Sequence, residues 1–233
     1  MKDSTPIQAS TAVIIPAFNR ELLICAALEN VLSQNCQNLD IVVVDDGSTD
    51  GTVQRARSYP GVRVLSQANA GPAAARNFGI SHTHSDFIAF LDSDDLWAPN
   101  MLNRLVNELE NDAQIDVAMG LPQLARIKAD GQGDEIYGEP GDAFSRSISG
   151  IVFRRTAFLN KVGFFDRELR FGEDLDWFLR AQECKVQIKR LDFISVFFRR
   201  HDGNMTKGKN MVDLNLLRTF KKSLDRKRTA STA

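Results

Sequence analysis

An α/β protein with a mainly parallel sheet and helices on both faces is the fold this sequence predicts, and three observations carry it. Short apolar runs alternate with helical patterns through residues 11–111. Two of these runs, 41–44 and 87–91, are apolar at every position, as strands buried on both faces are. Both then stop in carboxylates, Asp45-Asp46 and Asp92-Ser93-Asp94-Asp95. Carboxyl ends of strands are where open α/β sheets bind their ligands.

Each element follows from its own residues. The run 11–17 reads as a strand ending in the turn Pro16-Ala17-Phe18-Asn19. Residues 21–34 carry helical spacing, with Leu22, Cys25, Ala26 and Leu32 expected to face inward. After the 41–44 strand, Ser48 or Asp50 is placed to cap the next helix. A third strand covers 62–65, and the stretch from Asn69 to Asn77 opens a helix in which Pro72 suits the first turn and Ala73, Ala74 and Ala75 favour helix. The 87–91 strand leads through Trp97-Ala98-Pro99 into a helix over 100–110. The second half is less regular. It reads as an extended stretch 117–127, turns at 130–134 and 139–142, a strand 149–153, helices 156–162 and 172–183, strands 186–191 and 194–198, an amphipathic helix 212–224 and a frayed tail 225–233. The expected organisation is a disordered segment 1–10, one domain 11–206 with halves 11–111 and 112–206, and a C-terminal helix and tail 207–233.

Composition narrows the function classes. The 233 residues carry a formal net charge of -1, which gives no electrostatic case for a nucleic-acid partner. No apolar run approaches the roughly 20 residues that span a bilayer. The N-terminal residues lack the basic-then-apolar order of a secretory signal. Cys25, Cys36 and Cys184 have no metal-type spacing and read as reduced thiols, so the expected location is cytoplasmic.

The acidic clusters carry the chemistry. Asp92, Asp94 and Asp95 repel one another unless a cation offsets their charge. Magnesium or manganese meets that need, commonly bridging carboxylates to substrate phosphates. A solvated acidic turn is the competing reading. Glu173 and Asp174 open a helix, where negative charge is favoured by the dipole, so a capping role stands beside a catalytic one.

Five motifs occur in a recognisable order: Pro16-Ala17-Phe18-Asn19; Val43-Val44-Asp45-Asp46-Gly47-Ser48-Thr49-Asp50; Asn69-x-Gly71 with Ala75-Arg76-Asn77; Leu91-Asp92-Ser93-Asp94-Asp95; and Gly163-Phe164-Phe165-Asp166 with Glu173-Asp174. On these the chain resembles the inverting family 2 glycosyltransferases, nucleotide-sugar-dependent enzymes of the Rossmann-like GT-A fold with a small antiparallel portion on the acceptor side. The resemblance implies a nucleoside-diphosphate sugar as donor, UDP-linked by preference, and transfer of one sugar to an acceptor hydroxyl. It places Pro16, Ala17, Phe18, Asn19, Asp46, Arg76, Asp92 and Ser93 around the nucleotide, with Asp46 accepting from the base. A carboxylate there selects a base with an N–H donor, such as uracil, thymine or guanine. Asp94 becomes the metal contact for Mn2+ or Mg2+, with His201 as a further ligand or an exposed loop histidine. Asp174 becomes the general base, and Glu173 and Trp177 go to the acceptor side, with Asp176 helping to shape that pocket. A core role stays open for Phe18 and Trp177, and a loop-bracing role for Arg76.

Two other readings compete. One is a catalytically silent scaffold or sensor that binds nucleotide sugars. The other is a nucleotidyltransferase, disfavoured because Pro16-Ala17-Phe18-Asn19-Arg20 lacks a glycine-rich phosphate loop. The chain lacks the Gln-x-x-Arg-Trp motif of processive polysaccharide synthases, which points to single-sugar transfer onto a glycan or lipid-linked acceptor. Lys221-Lys222 and Arg226-Lys227-Arg228 read as a solvated helix end, with peripheral association to an anionic membrane surface as the alternative.

Overall fold

A computed structural model describes residues 9–128, 133–141, 148–205 and 216–230. Expectations for 1–8, for 130–132 of the predicted turn, for 142–147, for 212–215 of the C-terminal helix and for 231–233 lie outside the described residues. Strands β1 (Thr11–Ala17), β2 (Leu39–Asp45), β3 (Val62–Ser66) and β4 (Phe87–Phe90) lie side by side as β3-β2-β1-β4, all parallel. The sheet continues through β8-β6-β9-β5, where β5 is Leu96–Trp97, β6 Val117–Ile127, β8 Ile151–Arg154 and β9 Ile188–Arg200. Antiparallel pairings gather on this second side, and β7 (Asp134–Tyr137) adds to β6 there.

Period-two alternation divides the buried strands between two cores. Val13, Ile15, Val43, Phe87, Ala89 and Leu91 point to one face, under α1 (Ile24–Leu32), α2 (Thr52–Arg57) and α4 (Met101–Asn111). Ile14, Val42, Val44, Ile88 and Phe90 point to the other, under α3 (Pro72–Ser81), α5 (Arg155–Ala157, continued by a π-helical turn Phe158–Val162) and α6 (Glu173–Glu183). Helices therefore cover both faces, as the unbroken apolar runs require. Each fully buried Ile, Leu or Val contributes about 1.5–3 kcal/mol relative to exposure. The approach of α3 to β1 is close enough to need a glycine: a Cβ on Gly79 would lie 2.6 Å from Ile14 Cγ2.

Several boundaries differ from those read in the sequence. The inward face of α1 is Ile24, Ala27, Leu28 and Val31, whereas Leu22 is 87% exposed and Leu32 44% exposed. The reason is the turn before it. Asp50 accepts the backbone N–H of Glu21 at 3.1 Å, and the Glu21 carboxylate accepts from Gly51 at 3.1 Å, so regular helix starts only at Ile24. The two strands expected over 186–198 are one long strand, β9, which pairs with β6 through an irregularity between Met119 and Pro122. Ser10 is bonded through N and Oγ to Asp86, at 3.0 and 2.8 Å, which ties the chain down before β1 begins. The last helix, α7, is Leu216–Ala230, so residues 225–230, read as a frayed tail, are helical.

Candidate functional site

Because β1 is parallel to both β2 and β4, the carboxylates after β2 and β4 emerge on one edge of the sheet. A cavity of about 590 Å3 opens there. It brings together Pro16, Ala17, Phe18, Asn19, Asp46, Arg76, Asp92, Ser93 and Asp94 from the parallel half with Glu173 and Asp174 from the start of α6. Of the residues given a site role on sequence, His201, Asp176 and Trp177 do not line it.

The turn after β1 is locked to the turn after β2. Asn19, with φ of 51°, accepts the Thr49 N–H on its side-chain oxygen at 2.9 Å and donates its own N–H to Ser48 Oγ at 2.9 Å. Asp45 accepts the Ser48 N–H at 3.0 Å and is a turn-stabilising residue. Asp46 is buried and accepts from Gln67 Nε2 (2.7 Å), Ala70 N (2.9 Å) and Gly71 N (2.8 Å). Those three donors fix the loop before α3 and leave the carboxylate about one of its roughly four acceptor sites for an incoming N–H.

Arg76 connects the two sides of the cavity. Its Nη2 donates to Asp92 at 2.7 Å and its Nη1 to Glu173 at 2.8 Å, with the side chain almost wholly buried. Burial opposes its charge, but Asp92, Glu173 and Asp174 outweigh that and raise its pKa further. Bracing of the two sides and a place on the cavity wall are thus combined in one guanidinium. Glu173, expected toward the acceptor, is buried against Arg76 and acts on the site through it.

The carboxylates sit in contrasting environments. Burial pushes Asp94 up, but the His201 hydrogen bond and the Arg20 charge outweigh it and hold the group below the usual carboxylate range. The contacts are His201 Nε2 to Asp94 Oδ2 at 3.1 Å and Arg20 Nη2 to the same oxygen at 3.4 Å. Asp95 is raised well above its ordinary value by burial and by the charges of Asp94 and Asp92. Asp174 is pushed up to about 7 by burial, then by Glu173, against the pull of Arg76.

Among the described residues, no three His, Cys, Asp or Glu side chains converge as a ready-made metal cage. The donor set still fits a hard cation on Asp94, because magnesium and manganese commonly take one or two carboxylates and complete their shell with water and phosphate oxygens. His201 is held differently. Its Nδ1 accepts the Gly203 N–H at 3.1 Å, which places the ring proton on Nε2, facing Asp94. Ligation through Nε2 would require that tautomer, and with it the 201–204 turn, to change.

The structure decides between the two readings of Trp177 and corrects the one of Asp176. Trp177 is fully buried, stacked on Phe158 at 4.9 Å and edge-on to Phe153 at 5.1 Å, with Nε1 donating to the Gly163 carbonyl. It belongs to the core. Asp176 is 1% exposed and paired with Arg180 at 2.8 Å and Arg226 at 3.0 Å, so it holds α7 in place and shapes no pocket. Asn69, quoted in a motif but given no role, lines the cavity too, as do Arg20 and Arg170, which the sequence reading missed. Arg20 had a signal, a cation directly after the Pro16–Asn19 turn. Arg170 had none.

Residues 12–128 match the family model described as glycosyl transferase family 2. The chain belongs to this family. It is similar to the uncharacterised glycosyltransferase EpsJ of Bacillus subtilis, 27% identical over 84% of this chain and 62% of the relative. It is also similar to the minor teichoic acid biosynthesis protein GgaA of Bacillus subtilis, 30% identical over 72% of this chain and 42% of the relative. In both cases the chain spans less than two thirds of the relative's length. Among solved structures, S. aureus TarS 1-349 in complex with UDP-GlcNAc superposes with a TM-score of 0.71 at 22% identity, covering 86% of this chain and 61% of that one. The fold is GT-A, in agreement with the resemblance. Among the described residues, no helix is long and apolar enough to cross a membrane.

Proposed function

We propose that this chain transfers a single sugar, with inversion, from a nucleoside diphosphate sugar to an acceptor hydroxyl, and that UDP is the nucleotide. The observation that carries the reading is Arg76, whose fork ties Asp92 on the nucleotide edge to Glu173 beside Asp174. It holds a strand-end carboxylate set and a raised carboxylate in one cavity. Family membership supports the reaction class, and the UDP-GlcNAc complex of TarS supports the nucleotide.

In this reading the turn Pro16–Asn19 and Asp46 bind the nucleoside, and Asp92 and Ser93 flank the ribose and diphosphate. Asp94, held below the usual carboxylate range, is the residue that would hold magnesium or manganese. Bound there, the ion would supply Lewis-acid stabilisation of the departing diphosphate. Asp174 takes the proton from the acceptor hydroxyl as that oxygen attacks the anomeric carbon from the face opposite the diphosphate. A carboxyl poised near 7 is suited to the task, since a base works best with its pKa near the working pH. Glu173 contributes by fixing Arg76.

Calorimetric titration with UDP, GDP, dTDP and ADP, each with manganese and with chelator, tests the donor site. Binding of UDP that needs the metal supports the reading. No binding of any nucleotide by folded protein overturns it. UDP binding with no turnover of any UDP-sugar returns the chain to a silent nucleotide-sugar binder.

A further inference from the structure

The C-terminal helix α7 is amphipathic in the reverse sense. Its side toward the domain is polar: Thr219 and Ser223 are buried at 0% and 4% exposure, and Lys222 and Arg226 reach inward to carboxylates. Ser223 Oγ donates to Glu183 at 2.6 Å, and Arg226 bonds Glu183 at 2.7 Å and Asp176 at 3.0 Å. Lys222 bonds Glu168 at 2.8 Å. The outward side carries an apolar stripe, Leu217, Phe220 and Leu224, exposed by 60%, 41% and 56%, among exposed charged residues that include Arg218 and Asp225. Their spacing of three and four residues puts them in one narrow stripe. The helix α4 shows the ordinary arrangement, with Met101, Leu102, Leu105, Val106 and Leu109 all buried.

Cations border this stripe. Stepping 100° per residue places Lys227 on one side of it and Lys221 and Arg228 on the other, all exposed. The helix as a whole carries six basic residues and one acidic residue, Asp225. An apolar stripe edged by lysine and arginine is the pattern of helices that lie flat in a bilayer interface, apolar side chains among the acyl chains and cations at anionic headgroups. A protein partner of ordinary composition would not require cations along both edges.

We infer that α7 is a membrane-docking surface that seats Leu217, Phe220 and Leu224 in an anionic bilayer, with Lys221, Lys227 and Arg228 at its headgroups. Leu216, the first residue of the helix, lines the cavity, so docking through α7 brings that wall of the cavity beside the lipid. The inference concerns binding alone and stands whether or not the chain transfers sugar.

The test is sedimentation of the purified full chain with vesicles of phosphatidylcholine, with and without about 30 mol % phosphatidylglycerol. Two double variants are compared, Phe220→Ser/Leu224→Ser and Lys221→Glu/Lys227→Glu, with circular dichroism to verify folding. All four positions are exposed, so both variants are expected to keep their fold. The expected result is at least about tenfold tighter binding to the anionic vesicles, weakened by added salt, and lost in both variants. Failure to bind either vesicle, or undiminished binding by both variants, overturns the inference. So does a stable dimer that dissociates in the serine variant without vesicle binding, which would assign the stripe to a second copy of the chain.

Discussion

Asp94 and Asp174 are the same side chain facing one cavity, and their surroundings drive them apart. Asp94 touches a histidine Nε2 and an arginine, so its charged form prevails despite burial. Asp174 lies beside Glu173, its nearest cation already shared with Asp92, and burial moves it to about 7. In the proposed mechanism this difference gives the sheet edge a standing anion and the helix start a titrating base. Neighbours, more than residue type, set the role.

The strongest way to break this contrast is Asp174→Asn. It is expected to lower transfer by at least about 100-fold while leaving UDP affinity unchanged, measured by turnover and calorimetry on the same preparation. A near-parental rate would remove Asp174 as the base. Next in size is Arg76→Met, which leaves Asp92 and Glu173 without their buried cation. We expect a loss of about 3–5 kcal/mol in urea unfolding and, in the surviving folded protein, an upward move of the pH–rate midpoint. Asp94→Asn is expected to weaken manganese-dependent UDP binding by about tenfold or more, with little change in the presence of chelator.

A smaller effect concerns stability and pH. The folded-state pKa of Asp174 lies above its unfolded value, so the folded protein binds that proton more tightly than the unfolded chain. The stabilising contribution of the protonated group is therefore lost as pH rises from about 4 toward 7. Asn replaces the charge that is costly at high pH. Asp174→Asn is thus expected to raise stability at pH 8 by about 1 kcal/mol or more, and by less at pH 5, read from thermal melts. An equal shift at both values would show that charge is not the cause.

The parallel half was legible for a physical reason. Its strands are buried on both faces, so residues 41–44 and 87–91 announce themselves without any choice of register, and their carboxylates follow directly. Helix phase was less legible. Leu22, Cys25, Ala26 and Leu32 satisfy helical spacing about as well as Ile24, Ala27, Leu28 and Val31 do. The Glu21–Asp50 and Glu21–Gly51 bonds, which span distant sequence, decide between them. Ile24→Ala should accordingly cost about 2–5 kcal/mol and Leu22→Ala within about 0.5 kcal/mol. For Trp177 the acceptor side and the core stay open on sequence, because three positions past Asp174 a helix has turned by about 300°, and only the distant Phe153 and Phe158, which pack against its ring, decide for the core. The partners of Arg226, Asp176 and Glu183, are more than 40 residues away, which local pattern could not reveal.

The central claim, a base that titrates near neutrality, is tested most directly by the pH dependence of kcat/KM for the UDP-sugar the protein turns over. The account predicts a rate that rises about tenfold per pH unit at low pH and levels off with a midpoint near 7, as Asp174 ionises. A profile that is flat from about pH 5 to 8, or one whose rising limb persists unchanged in the residual activity of Asp174→Asn, would contradict it.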